Sequence, residues 1–137
     1  MKTIATLIVL VVCFATPVFA FDFTNPTEGD KKLLTLVSLA MIDYQQSLEM
    51  FYEMDGYEEL NPLLGEKPGR EDLMMFGLAS LTIAYGINEL MPEGKFKDFL
   101  FDSLLATEKL NIEENAQDMD TGKRTFDGLM LVLSFDL

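Results

Sequence analysis

Between residues 30 and 117 apolar side chains recur at three- and four-residue steps, the period of one helical face. The clearest run is Leu33, Val37, Met41, Tyr44, Leu48 and Phe51, with Thr35, Ser38, Gln45, Glu49 and Glu53 opposite. It predicts an amphipathic helix from about Asp30 to Asp55-Gly56, where glycine ends the helix. Residues 73–91, LMMFGLASLTIAYGINELM, differ: they are apolar nearly all round, interrupted only by Asn88 and Glu89. A third helix is predicted from Lys95 to Gln117, with Phe96, Phe99, Leu100, Leu104 and Leu110 on one face. Lys97, Asp98, Asp102, Glu108 and Glu113 lie elsewhere on it, and that much charge suits an amphipathic helix rather than a span. DMDTGKR then reads as a polar loop, and FDGLMLVLSFDL as a short strand or extended segment. The expected fold is all-α: a small bundle of three principal helices with a short extended C-terminal segment.

The first twenty residues change the domain picture. MKTIATLIVLVVCFATPVFA has a positive start at Lys2, an apolar core from Ile4 to Phe14, and a helix-breaking Pro17. Val18 and Ala20 occupy the minus-three and minus-one positions of a cleavage site before Phe21. The expected organisation is a signal peptide over 1–20, a polar leader over 21–29 and one helical domain over 30–137. Export to the periplasm or inner membrane follows. Cys13 is the only cysteine, and Val12 before it is a poor fit to a lipoprotein signal.

Composition excludes several chemistries. The chain has no histidine, and its one cysteine lies in the signal, so zinc sites, Cys–His nucleophiles and Ser–His–Asp triads are ruled out by inventory. A net charge of −13 repels nucleic-acid phosphate and anionic lipid alike, so no nucleic-acid partner is expected. Yet 49% of the residues are hydrophobic, which indicates a folded domain rather than an acidic disordered chain. No cofactor is expected.

Two polar groupings stand out. On the first helix Asp43, Gln46, Ser47 and Met50 share a flank beside the apolar stripe, where a hydrogen-bonded cluster could sit at a helix–helix seam. In the following loop, EELNPLLGEKPG, Pro62 disfavours helix at Asn61, Gly65 permits a left-handed turn, and Pro68-Gly69 prepares the next helix. Turn chemistry does not require Glu59 and Asn61, which could complete the Asp43 cluster or cap a helix end. Asp43 with Glu59 could do acid–base work if burial raised one of the two, though acidic pairs come cheaply in so acidic a chain. Asp118, Asp120 and Gly122 echo a calcium loop, but glycine comes one place early and Leu129 stands where the final glutamate belongs. On the apolar helix, Gly77, Ser80 and Ala84 form a small-residue stripe that another helix could approach closely. Two readings of that helix stand open: the buried centre of a soluble bundle, or a membrane helix.

These motifs together resemble an uncharacterised family of small signal-bearing bacterial and phage envelope proteins. Its Asp-x-x-Gln-Thr/Ser helix motif is matched by Asp43, Gln46 and Ser47. Its Glu-x-Asn-Pro-x-x-Gly-x-x-Pro loop is matched by Glu59, Asn61, Pro62, Gly65 and Pro68. The resemblance extends to Met91-Pro92 after the apolar helix and to Asn115 near the end of the last one. It implies a shared structural site and no activity. The last helix here is more acidic than the resemblance suggests, and the segment after Asn115 is longer.

The function expected from these readings is that of a non-enzymatic envelope or periplasmic interaction protein, associated with the inner membrane through residues 73–91. Its polar cluster would sit at the corner between the first two helices. A protein partner or self-association is open beside the membrane. The alternatives are a hydrolase-like enzyme using an Asp/Glu pair, and a phage-derived lysis or envelope-modifying protein.

Overall fold

Helix α1 (Glu28–Glu53) starts ahead of its hydrophobic period because Thr27 caps it. The Asp30 N–H donates to Thr27 Oγ1 at 3.1 Å and the Thr27 N–H to Asp30 Oδ2 at 2.9 Å, a reciprocal capping box. Helix α2 (Arg70–Leu90) follows Pro68 and Gly69, and Asp72 accepts the Gly69 N–H in its first turn. Helix α3 (Lys95–Thr121) runs four residues beyond its expected end. Asp118 to Thr121 form its last turn rather than a loop, because the first residue there able to leave the helix is Gly122, at φ 64°. In the computed structural model, residues 24–54, 63–65, 67–122 and 133 are described. The expected signal peptide, Glu59, Asn61, Pro62 and all of FDGLMLVLSFDL but Leu133 lie outside the described residues.

The architecture is an all-α bundle of three helices with α1 between the other two. Lys32 of α1 pairs with Asp98 and Asp102 of α3 at 3.0 and 2.8 Å, while Gln46 reaches Ile112 further along, so α1 and α3 run parallel. Helix α2 is antiparallel to α1. Asp30 meets Asn88 at one end, and at the other the Tyr52 hydroxyl donates to the Pro68 carbonyl at 2.9 Å. The Arg70 guanidinium lies over the Tyr52 ring, 4.9 Å from its centroid. Gly65 takes φ 79° in the loop, the left-handed turn expected of it.

The core gathers Leu33 and Leu36 of α1, Ala84 of α2 and Phe101 of α3, flanked by Leu81, Tyr85, Leu104 and Leu105. This corrects the expected stripes. Met41 is 62% exposed and Phe96 64% exposed, whereas Leu36 and Phe101 are buried. The reason is geometric: α1 has a neighbour on each side, so its buried arc is centred between them rather than on its most apolar stripe.

Helix α2 is not the buried centre of the bundle. Of its most apolar 18-residue stretch only 17% is buried, and Met74, Leu78, Ile83 and Leu90 stand in the open. The small-residue stripe is used at one position. Ala84 is buried in the core, Ser80 is exposed, and a Cβ at Gly77 would meet nothing within 4 Å.

Candidate functional site

The polar flank of α1 is turned toward α3. Asn115 Nδ2 donates to Asp43 Oδ1 at 2.8 Å, and Gln46 Nε2 donates to the Ile112 carbonyl at 3.2 Å. Ser47 and Met50 lie along the same helix, half-buried and buried. The cluster therefore lies midway along the α1–α3 seam, not at the corner between the first two helices. Parallel packing explains the correction: the stretch of α3 around residues 108–115 is level with Asp43 and Gln46, whereas the corner begins beyond the end of α1. Glu59, Asn61 and Pro62 lie outside the described residues, so the Asp43–Glu59 pair has no described geometry. Pro68 is buried and ties the loop back to α1 through Tyr52.

Glu108 joins this seam. Burial pushes its carboxyl up, and the negative charge of Asp43 pushes it further, to about 7. Among the described residues the buried Gln46 Oε1 has no hydrogen-bond partner. Two carboxyls and two amides thus share one seam. Among the described residues no group of three acidic, histidine or cysteine side chains could hold a metal. In place of the expected polar loop, Asp118 is buried within the last turn of α3.

This seam gives a pH prediction with a definite sign. Glu108 moves from an ordinary 4.5 up to about 7, so the folded chain holds a proton that the unfolded chain releases. Its contribution to stability is complete below about pH 4.5 and is lost as pH rises through about 7. After solvent screening of this partly exposed group, the loss is about 1–2 kcal/mol. With no histidine in the chain, few other groups titrate in that window. Thermal melts from pH 5 to pH 8 should show a falling Tm for the native chain and a flatter profile for Glu108→Gln. A parallel decline in both would remove Glu108 as the cause.

A second polar cluster closes the other end of the bundle. Asn88 Nδ2 donates to Asp30 Oδ1 at 2.7 Å. Lys97, only 3% exposed, places its ammonium 2.7 Å from the Asn88 carbonyl and 2.7 Å from Glu93 Oε1. Burial pushes the Asp30 carboxyl upward. Hydrogen bonds from Thr27 and Asn88, with the charge of Lys97, outweigh that and hold it below its ordinary value. Gly29 is needed here, since a Cβ would stand 2.2 Å from Asn88 Oδ1. The sequence reading missed this cluster, because it assigned Lys97 to a solvated face. The available signal was spacing: Lys97, Phe101, Leu104, Glu108, Asn115 and Asp118 recur at steps of three, four or seven and form one stripe.

Comparison with protein-family models, with curated proteins and with solved structures gives no match.

Proposed function

We propose that this chain is an exported, non-enzymatic interaction protein of the cell envelope, associated with the inner membrane through α2. The observation that carries the reading is the apolar surface that α2 leaves uncovered. With only 17% of its most apolar stretch buried, α2 leaves Met74, Phe76, Leu78, Ile83 and Leu90 exposed to whatever surrounds the bundle. From Leu73 to Ile87 the helix has no charged residue. Two of its three hydroxyls in that stretch bond the helix's own backbone, Ser80 donating to the Phe76 carbonyl at 3.0 Å and Thr82 to the Leu78 carbonyl at 2.7 Å, and the third, Tyr85, is half-buried against the core. The outer face therefore offers little that water would solvate.

The Asp43–Gln46–Asn115 seam serves as the structural element that orients α1 against α3. The resemblance of Asp43, Gln46, Ser47 and the Glu59–Pro68 loop to small envelope proteins supports the same reading, as does the signal-like segment over 1–20. Cell fractionation tests it. The exported chain, with an N-terminal mass corresponding to Phe21, should sediment with inner membranes. Recovery in the detergent-free periplasmic fraction would exclude membrane association.

A further inference from the structure

Resting on that membrane reading, we infer that the protein lies in the plane of one bilayer surface, on α2 and the adjoining flank of α1, and that it prefers zwitterionic lipid. The apolar surface continues from one helix to the other. Leu34 and Met41 of α1 are exposed, and they lie on the same side of that helix as Asp30 and Tyr52. Those two residues tie α1 to α2 through Asn88 and Pro68. Leu34 and Met41 therefore border α2, whose uncovered surface runs from Met74 and Leu78 on one flank round to Ile83 and Leu90 on the other.

The dimensions and charges distinguish lying from spanning. The uncharged stretch from Leu73 to Ile87 extends about 22 Å along the helix axis, short of the roughly 30 Å of a hydrocarbon core. Both ends of α2 carry exposed carboxylates, Glu71 at the start and Glu89 at the end. Spanning would pull α2 away from the bundle, breaking the Asn88–Asp30 and Tyr52–Pro68 hydrogen bonds and removing Ala84 from the core. Lying flat keeps every one of these contacts and seats the exposed side chains at the level of the acyl chains.

Charge selects the lipid. Amphipathic helices on anionic membranes flank their apolar face with lysine or arginine. Here the one basic residue of α2, Arg70, is engaged over Tyr52, and the chain as a whole carries −13. Anionic headgroups add repulsion, and zwitterionic ones do not.

Vesicle flotation of the exported, folded chain tests this. It should float with phosphatidylcholine vesicles. Blending in phosphatidylglycerol should weaken binding at low salt, and added salt should restore it, because screening relieves repulsion. The double variant Leu78→Glu/Ile83→Glu should lose about a hundredfold in partitioning while keeping the native Tm, since both side chains point outward. Binding that rises with phosphatidylglycerol, or a double variant that still floats, overturns the inference. So does a stable dimer that ignores vesicles, since a second copy would then cover the face. Resistance of the native chain to carbonate extraction from cell membranes overturns the in-plane arrangement while leaving membrane association intact. Absence from membranes altogether removes the underlying reading as well.

Discussion

Replacing Phe101 by alanine is expected to lower stability by about 3–5 kcal/mol, the usual cost of emptying a fully buried aromatic site. Phe101 has no exposed surface and packs against Leu33, Leu36 and Ala84, so one side chain joins all three helices. The fully buried side chains around it are few. Among the described residues the buried hydrophobics are those four with Met50 and Leu73, and the last two lie outside the cluster. Small domains are stable by about 5–15 kcal/mol in total, so the variant should melt some tens of degrees lower or fail to accumulate folded. The control is Phe96→Ala. Phe96 is 64% exposed and stacks on Phe99, with ring centroids 6.4 Å apart, and its loss should cost no more than about 0.5–1 kcal/mol. Equal Tm values for the two variants would show that the core is misplaced.

Replacing Lys97 by methionine should cost about 2–4 kcal/mol, although the two side chains have similar volume. The Asn88 carbonyl that Lys97 bonds belongs to the last turn of α2, where carbonyls lack partners within the helix. No basic residue stands in that last turn, so Lys97, reaching back from α3, supplies both the donor and the positive charge that the helix end favours. Methionine would leave the carbonyl buried and unbonded and would remove a positive charge near Asp30. Glu93 is exposed enough to return to water, so its loss of a partner adds little. Thermal or urea unfolding of Lys97→Met beside Lys95→Met, at an exposed site, would measure the difference. A Lys97→Met variant as stable as the Lys95→Met control would mean that water satisfies the helix end.

Both residues show where the sequence was legible and where it was not. Phe101 and Lys97 are four residues apart on one stripe of α3, but hydrophobic periodicity alone pointed to Phe96 and Phe99. The pattern misled because this stripe turns polar groups inward as well as apolar ones: Lys97 buried at one end, Glu108 and Asn115 half-buried further along, Asp118 buried near the other. A charged side chain counts against burial in a periodicity argument until its partner is known. Glu93, four residues before Lys97, was legible as a partner, but the buried partner is a backbone carbonyl that no side-chain pattern records.

The polar flank of α1 tells a related story. Asp43, Gln46 and Ser47 were recognisable as one edge of an amphipathic helix, with Asn115 singled out by resemblance. Which helix that edge would face was not recognisable. The loop after α1 suggested the α1–α2 corner, whereas the parallel arrangement of α1 and α3 brings Asn115 and Glu108 to Asp43.

What the sequence by itself determined is local. The step of three and four residues produces three helices, Thr27 and Asp30 start the first, and Gly122 ends the last. The uncharged run from Leu73 to Ile87 makes α2 an apolar helix whatever its surroundings. Only the tertiary structure decided which helix lies in the centre. It placed α1 there, buried Phe101 and Lys97, set Glu108 beside Asp43, and left the outer face of α2 uncovered. The physical reason is that a helical period defines an angle around one axis and carries no information about the neighbour at that angle. That neighbour is chosen by the combined packing of all three helices.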